Sequence, residues 1–248
     1  MGNPVIVVND VSMMFNLNRD KVLGLKEYVV KAIMKQLHYD EFWALTDISF
    51  EVQRGEILGI MGLNGSGKST LLKLIAGVFK PTKGSVTVNG EIAPLLELGT
   101  GFDPEFSARD NIFMNGAMFG HPPSYMAGIY EEIMNFADLW EFEDVPMKNF
   151  SSGMYARLGF AVATTVEPDV LILDEVLGVG DYLFAEKCDK RIGDLLSKGT
   201  TVLLVSHSIL TIKSMCSRAL LLKKGKMICI GETEDVCQRY QDEGTTVN

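Results

Sequence analysis

The segment Gly62–Ser69 reads GLNGSGKS and matches the pattern G-x-x-x-x-G-K-[ST] in full. It follows an apolar stretch of strand length and opens a stretch of helical composition, which is the context that this pattern requires. Glycines at these positions let successive backbone N–H groups point inward and form a nest for phosphate oxygens. The following helix directs the positive end of its dipole at the same anion. The pattern therefore predicts a nucleotide-phosphate site; the alternative is a glycine turn that contains a lysine by chance.

Two side chains of this loop have their own chemistry. We expect Lys68 to reach the β- and γ-phosphates and the Ser69 hydroxyl to bind Mg²⁺. The loop alone predicts that the chain binds a nucleotide, but it does not predict which class of nucleotide-binding protein this is. The residues predicted to bind the nucleotide are Gly62, Asn64, Gly65, Ser66, Gly67, Lys68, Ser69 and Thr70.

Two adjacent acids end the apolar segment VLILDE, residues 170–175. A buried strand gains no stability from this ending, because like charges repel each other. Beside a phosphate loop the pair has a use: Asp174 would complete the Mg²⁺ shell and Glu175 would act as general base toward the attacking water. The alternative is a solvated strand end, which is common for a single acid.

Two further polar positions fit a phosphate site. His207 ends the apolar segment TVLLVSH, and ligands of α/β sheets lie at the carboxyl ends of parallel strands. There it could donate to the γ-phosphate and the attacking water, although a structural histidine is the alternative. The turn Ser151–Gly153 precedes an apolar helix, which favours an anion or simply caps the helix. The helix after the phosphate loop already offers one such anion site, so this turn would be a second one in the same chain. A second site has a function if it binds a nucleotide held by another copy of the chain.

The elements that must position these residues belong to the α/β class. The continuous apolar segments VLILDE (170–175) and TVLLVSH (201–207) predict parallel strands covered on both faces, and EILGIM (56–61) predicts an apolar strand that runs into glycine. Alternation at Ile48, Phe50 and Val52 predicts a half-buried strand of antiparallel type. Residues 104–165 have helical composition, so the order of elements predicts a sheet domain with a helical arm.

Composition excludes several classes of protein. Of the 248 residues 47% are hydrophobic and 22% charged, which is typical of a globular chain and not of a disordered one. The net charge of −9 predicts no nucleic-acid partner, because such a surface repels phosphate backbones. No apolar run approaches the roughly 20 residues that cross a bilayer. The four cysteines are widely separated, which favours a reducing cytoplasm over a metal site.

The segment Asp20–His38 predicts a basic amphipathic helix. Its apolar residues recur at helical spacing, and lysines supply a cationic side. Such a helix could lie against anionic lipid or a partner helix, or it could pack on its own domain. The apolar positions are Val22, Leu25, Val29, Ile33 and Leu37, and the lysines are Lys21, Lys26, Lys31 and Lys35.

Taken together, the phosphate loop, the segment FSSGM (150–154), the acidic strand and His207 resemble an ABC-transporter ATPase subunit over nearly the whole chain. The resemblance implies a P-loop NTPase cassette with a RecA-like mixed or parallel sheet core, an antiparallel β subdomain and a helical subdomain. It implies one ABC ATPase domain over 1–248, with a β/RecA-like lobe at about 1–102 and 166–231, a helical lobe at about 103–165, a C-terminal helix and tail at 232–248 and a basic helical insertion at about 16–42.

The same resemblance implies a homodimer that closes head-to-tail around two ATP molecules. Ser151, Ser152 and Gly153 would then contact the nucleotide bound by the opposite subunit. Asp181 would belong to the loop GVGD that crosses the dimer. Phe15 matches the aromatic residue that stacks on adenine, where tyrosine is usual in the family.

Segments such as FWALTDISFEV and LLELGTGFDPEFSARDNIFMNG resemble more narrowly the ATPases of bacterial polysaccharide exporters, which handle O-antigen, capsule or teichoic-acid chains. Two segments depart from the pattern of the wider family. The usual Leu-Ser-Gly-Gly-Gln is FSSGM here, a form that the exporters share. The usual glutamine is missing from 95–102, where Glu97 is the nearest polar candidate for sensing the γ-phosphate or Mg²⁺.

The sequence thus predicts an ATPase that powers export of a polysaccharide or lipid-linked glycan through a separate transmembrane permease subunit. It would act at the cytoplasmic face of the cell membrane. Three alternatives stay open: an exporter ATPase for a lipid or drug, a soluble ABC ATPase of translation or DNA repair, and a module that binds nucleotide without hydrolysis. Soluble ABC ATPases usually have two cassettes or coiled-coil arms, and Glu175 argues against the module that does not hydrolyse.

Overall fold

A computed structural model describes residues 3–18, 39–95, 99, 101–174, 182–206 and 208–245. The strands are β1 (Ile6–Asn18), β2 (Tyr39–Val52), β3 (Ile57–Met61), β4 (Lys83–Val88), β5 (Ile92–Leu95), β6 (Val170–Asp174), β7 (Thr201–Val205), β8 (Arg218–Lys223) and β9 (Lys226–Glu232). The α-helices are α1 (Lys68–Ile75), α2 (Ala108–Met118), α3 (Pro123–Ala137), α4 (Ser152–Thr165), α5 (Tyr182–Ser197), α6 (Ile209–Met215) and α7 (Thr233–Thr245). Two 3₁₀ turns lie at Trp140–Phe142 and Met147–Asn149.

A three-stranded antiparallel sheet has the order β2-β1-β4. Its register pairs Ile6 with Val52 near one end of β1 and Asn18 with Tyr39 at the other. Ile48, Phe50 and Val52 are buried while the residues between them are exposed, so the predicted alternation is confirmed. This buried face contributes to the hydrophobic core.

The second sheet has six strands in the order β5-β6-β7-β3-β8-β9, parallel except for the antiparallel β9. Strands β6 and β7 are buried along nearly their whole length, as their continuous apolar runs predict. Successive side chains of a strand point to opposite faces. One face therefore packs against α1 and the antiparallel sheet, and the other packs against α5, α6 and α7.

Helices α2, α3 and α4 form a helical lobe with a core of its own, within the predicted helical block. Three phenylalanines join this lobe to the second sheet's helices: Phe136 on α3, Phe160 on α4 and Phe184 on α5. Their ring centroids lie 5.5 to 6.3 Å apart. Within the described part of the chain, no helix is both long and apolar enough to span a bilayer.

The structure differs from the sequence-based expectation at two connections. Residues 16–18 and 39–42, which we had placed in the helical insertion, continue β1 and β2 as paired strands. The predicted basic helix 20–38 lies outside the described residues. The Asn89-Gly90 pair that follows β4 is of a kind typical of hairpin turns, but it leads from β4 in one sheet to β5 in the other, where an added Cβ on Gly90 would lie 2.5 Å from the Asp169 Cβ.

Candidate functional site

The phosphate loop and Asp174 lie at the same edge of the six-stranded sheet. Val205 on β7 pairs with Ile60 of β3 on one side and with Asp174 of β6 on the other. Adjacent strands are about 4.8 Å apart, so Ile60 and Asp174 are separated by about 10 Å. The loop that follows β3 therefore begins close to the carboxylate that ends β6.

Two glycines allow the phosphate loop to pack closely against its supports. Gly62 has φ 151°, and a Cβ there would lie 2.4 Å from the Leu222 carbonyl oxygen of β8. Gly67 precedes α1 with φ 106°, and a Cβ there would lie 2.7 Å from the Leu45 Cδ2 atom of β2. Any other residue would clash or strain at either position. The glycines thus allow the loop to be held between β8 and β2.

The hairpin turn between β8 and β9 supports the loop from outside. The Gly225 N–H donates to the Ser66 carbonyl at 2.9 Å, and the Gly225 carbonyl accepts from the Thr46 N–H at 2.8 Å. The Ser66 side chain is only 3% exposed, yet its hydroxyl has no hydrogen-bond partner among the described residues. This oxygen has almost no accessible surface and lies beside Gly62, where the loop packs against β8, so it is not available to a ligand in the cleft.

Lys68 folds back over the loop from the start of α1. Its Nζ donates to the carbonyl oxygens of Gly62 at 2.7 Å and Leu63 at 3.2 Å, and the residue is only 8% exposed. The N–H groups at the first turn of α1 have no acceptor within the helix. The ammonium group of Lys68 and the N-terminal end of α1 therefore meet in one cleft of about 240 Å³, which suits a polyphosphate. The cleft is lined by Phe42, Ala44, Asn64, Gly65, Ser66, Gly67, Lys68, Ser69 and Thr70.

Phe42 lines this cleft, and Phe15, the predicted adenine contact, is not among the lining residues. Phe42 is 49% exposed and pairs directly with Phe15 across β1 and β2. The Phe15 ring packs edge-on against Phe79, with centroids 5.7 Å apart. Directly opposed residues share one face of an antiparallel sheet, so the two phenylalanines form an aromatic pair beside the loop.

Ser69 and Asp174 offer one hydroxyl and one carboxylate to a cation. Mg²⁺ is commonly bound by one or two carboxylates together with water and substrate phosphates, rather than by an all-protein cage. The donor set therefore fits a Mg²⁺ that is shared with a bound phosphate.

The turn Ser151–Gly153, which we call the signature turn, lies apart from the phosphate cleft. The Ser151 hydroxyl caps α4 by accepting from the Met154 N–H at 3.2 Å. Ser151 and Ser152 are exposed, and none of the three residues lines the cleft. The structure of one chain thus brings together the phosphate loop, Asp174 and an aromatic pair, and leaves the signature turn on the surface of the helical lobe.

Four predicted site residues lie outside the described residues: Glu97, Glu175, Asp181 and His207. Two residues at the site were missed. Phe42 had a weak signal, because it is an aromatic residue at the start of a predicted strand region. Gly225 had a clearer one, because a Lys-Gly pair between the apolar runs 219–222 and 227–230 is typical of a hairpin turn.

An apolar groove separates the two lobes on the side of α2. It has a volume of about 280 Å³ and is lined by residues from the end of α1, β5, α2 and α4. Val78, Met118 and Phe119 line it and are 60%, 66% and 44% exposed. Large exposed apolar side chains around one groove are typical of a surface that binds another protein.

A sequence model of the ABC transporter family matches residues 45–178. The chain belongs to the ABC transporter ATPase family. The match begins on β2 and ends beyond Asp174, so it includes the phosphate loop, the signature turn and Asp174, while Phe15, Phe42 and Gly225 lie outside it.

Relatives of this ABC ATPase align over nearly its whole length. The ABC transporter protein AbcA of Aeromonas salmonicida is 45% identical over 97% of this chain and 77% of its own length. An O-antigen export system ATP-binding protein of Klebsiella pneumoniae is 42% identical over 96% of this chain and 98% of its own. A teichoic acids export ATP-binding protein of Listeria innocua is 37% identical over 98% of this chain and 71% of its own.

Solved structures confirm the predicted fold of the ABC ATPase. A dimeric ATP-binding cassette in a post-hydrolysis state, bound to ADP and Pi, superposes with a TM-score of 0.71 at 20% identity, over 92% of this chain and 98% of that one. An ATP-binding subunit of an ABC transporter superposes with a TM-score of 0.74 at 22% identity, over 96% and 93%.

Proposed function

We propose that this ATPase drives the export of a polysaccharide or lipid-linked glycan across the cytoplasmic membrane through a separate membrane subunit. The phosphate cleft, with its glycine supports, Lys68 and the start of α1, is the observation that carries nucleotide binding. Similarity to ATP-binding proteins of O-antigen and teichoic acid export, over nearly the whole chain, supports the glycan substrate. An exporter of another lipid or of a drug is the remaining candidate.

ATP would bind with its phosphates over the loop. Lys68 would exchange its two backbone carbonyl acceptors for β- and γ-phosphate oxygens, and the first N–H groups of α1 would donate to the same phosphates. Ser69 and Asp174 would hold Mg²⁺, which neutralises charge on the phosphates. The adenine would lie against the aromatic pair Phe15 and Phe42, whose exposed member lines the cleft.

Hydrolysis would use residues beyond the described part of the chain. Glu175 directly follows Asp174 at the sheet edge, and we propose that it accepts a proton from the attacking water. His207 lies two residues beyond Val205, which pairs with Asp174, so the sequence carries it toward the same edge. There it would hold the γ-phosphate. Glu97 would sense the γ-phosphate or Mg²⁺ from the segment that follows β5.

Two copies would close around two nucleotides. In one chain the signature turn is an exposed helix start away from its own phosphate cleft, and a nucleotide held by a partner would give it an anion to bind. Ser151, Ser152, Gly153 and Asp181 would supply this contact. Binding of ATP would favour the closed dimer, and hydrolysis would reopen it.

The apolar groove would receive the membrane subunit. Three large apolar side chains, Val78, Met118 and Phe119, are exposed around this one groove. An exposed apolar patch of this kind is typical of a surface that binds another protein. The groove contains Gly99 and Phe102, which follow β5, so a partner docked there would touch the connection between the two lobes. This arrangement would keep the ATPase at the cytoplasmic face of the membrane.

A Glu175→Gln variant tests the hydrolytic assignment. It should bind ATP, lose turnover and form a more stable dimer with ATP, because the triphosphate is no longer consumed. Phosphate release and sedimentation velocity measure the two effects, and the unchanged chain is the control. Turnover at the unchanged rate would contradict the role of Glu175.

The substrate is tested with the ATPase joined to its membrane subunit. Turnover of the reconstituted complex should rise on adding a lipid-linked glycan and stay unchanged with the same lipid lacking its sugar. A response to the bare lipid alone would favour the other exporter candidate.

A further inference from the structure

One segment of the chain holds the signature turn on both sides. Upstream of the turn, the Met147 N–H donates to the Phe106 carbonyl at 2.9 Å and the Lys148 N–H to the Pro104 carbonyl at 2.8 Å. Downstream, the Tyr155 hydroxyl donates to the Gly99 carbonyl at 3.3 Å. The connection from β5 to α2 thus flanks the turn that we propose contacts the partner's nucleotide.

The downstream contact is closely fitted. Gly99 has φ 82°, and a Cβ there would lie 2.2 Å from the Tyr155 Cε1 atom. The Tyr155 ring also meets the Phe102 ring edge-on, with centroids 5.6 Å apart. The Gly99 carbonyl accepts a second hydrogen bond, from the Phe102 N–H at 2.9 Å. The Tyr155 ring therefore packs against Gly99 and Phe102 and leaves no room for a side chain at position 99.

This contact joins two functionally different regions. Tyr155 lies one helical turn beyond Ser151, to whose carbonyl its N–H donates at 3.0 Å. Gly99 lies shortly after β5, where Leu95 pairs with Leu173, the residue before Asp174. Tyr155 thereby links the start of α4 to a segment that leaves the sheet edge where Asp174 lies.

We propose that Tyr155 is a positioning residue, which sets the place of the signature turn relative to the chain's own sheet edge through its contact with Gly99. The inference rests on the proposed ATP-bound dimer. Tyr155 lines no part of the phosphate cleft, so it acts on the partner's nucleotide only through Ser151 and Gly153. Loss of the contact weakens closure of the dimer and leaves ATP binding by the single chain intact.

The experiment uses the Glu175→Gln chain as parent, with Tyr155→Ala and Tyr155→Phe added separately. Tyr155→Phe keeps the ring and removes one hydrogen bond, so it should raise the dissociation constant of the ATP-bound dimer by about 2- to 10-fold. Tyr155→Ala also removes the ring contacts and should have a larger effect. The ATP dissociation constant of the monomer should stay within about twofold of the parent value, because the phosphate cleft is untouched.

Tyr130→Phe is the matched control. Tyr130 lies in the same helical lobe, and its hydroxyl donates to the Glu143 carboxylate at 2.8 Å. The variant loses one tyrosine hydroxyl and its hydrogen bond without altering the Gly99 contact. It should lower the melting temperature and leave the dimer dissociation constant at the parent value.

A second variant tests the contact from its other side. Gly99→Ala should weaken the dimer because the new methyl group meets the Tyr155 ring. Adding Tyr155→Ala removes that ring, while the strain of an alanine at φ 82° and its close approach to Phe102 remain, so Gly99→Ala should cost less dimer affinity in the Tyr155→Ala chain than in the parent. A double variant with the summed losses of the two single variants would show that they act independently and would overturn the contact's role.

The outcomes separate this inference from the proposed function. A parent that stays monomeric with saturating ATP would overturn the proposed dimer and this inference together. If adding Tyr155→Ala or Tyr155→Phe leaves the dissociation constant of the ATP-bound dimer unchanged, this inference alone is overturned. Equal losses of monomer ATP affinity and dimer affinity would also overturn it, since they would indicate general damage to the fold.

Discussion

Lys68 donates a hydrogen bond of 2.7 Å to the carbonyl oxygen of Gly62, six residues earlier in the same loop. The ammonium group therefore already lies over the phosphate nest. A bound triphosphate would need only to replace backbone carbonyls as acceptors, with little movement of the lysine stem. The side chain is pre-positioned by the glycine that opens the loop.

Lys68→Met should weaken ATP binding by about 2 kcal/mol, or ~30-fold, because a hydrogen-bonded charge on the phosphates is lost. The methionine retains the volume of the stem. Isothermal titration calorimetry measures the affinity. Lys73→Met is the control, since Lys73 lies on the same helix and does not line the cleft. Equal losses in the two variants would contradict a specific phosphate contact by Lys68.

Phe42→Ala should weaken ATP binding by about 1–3 kcal/mol, the usual contribution of an aromatic ring stacked on a base. Phe15→Ala should cost less, because the Phe15 ring packs against Phe79 and does not line the cleft. Binding of inorganic tripolyphosphate, which has no base, separates stacking from damage to the loop and should not change. If Phe15→Ala weakened ATP binding more than Phe42→Ala, then Phe15 would be the main adenine contact, as the sequence predicts.

Ser151→Ala should abolish most ATP turnover in addition to its effect on the helix cap. Ser151 and Ser107 both cap helices of the same lobe through their hydroxyls, so each alanine variant should cost about 1 kcal/mol of stability. Only Ser151 belongs to the signature turn. Thermal unfolding should therefore show similar losses, while phosphate release should fall in Ser151→Ala alone. Normal turnover in both variants would contradict the contact across the dimer.

The buried thiols should be inert at pH 8. Burial raises the pKa of Cys188 and of Cys216 to about 12, so almost none of the reactive thiolate is present. Cys229 is only partly buried and should react first with a maleimide reagent, although burial raises its pKa as well. Mass spectrometry of labelled peptides identifies the sites. Rapid labelling of Cys188 in the native chain would contradict its burial.

The same pKa shifts predict a loss of stability in alkali. A thiol pKa that is higher in the folded chain means that the unfolded chain releases its proton first as pH rises. The stabilisation is complete below the ordinary thiol pKa of 9.0 and is lost as pH approaches about 12. The free energy of unfolding should fall across this range, and less steeply in Cys216→Ala. An equal slope in the variant would show that other groups control the alkaline transition.

The sequence predicted the parts of the site that depend on local chain order. The phosphate loop lies between β3 and α1, as its strand-loop-helix context required, and Asp174 ends β6. Both predictions used residues adjacent in sequence, where glycine geometry and apolar runs leave few alternatives. The helical lobe was likewise predictable from the helical composition of residues 104–165.

The supports of the site were not predictable in the same way. Phe42 reaches the cleft because β1 and β2 pair across residues 19–38, and no local pattern reports that register. Gly225 reaches Ser66 from a hairpin far along the chain. The Asn89-Gly90 pair gave a hairpin signal, yet here it connects two sheets. Long-range pairing decided each of these positions, and sequence spacing does not encode it.

The pairing of Asn18 with Tyr39 brings the two ends of the 19–38 connection side by side. The chain therefore leaves β1 and enters β2 at neighbouring points of one ladder. A flexible linker joining such points would lose only about 0.6 kcal/mol of closure entropy for each doubling of its length. A Gly-Ser linker put in place of 19–38 should therefore leave the pairing of β1 with β2 intact.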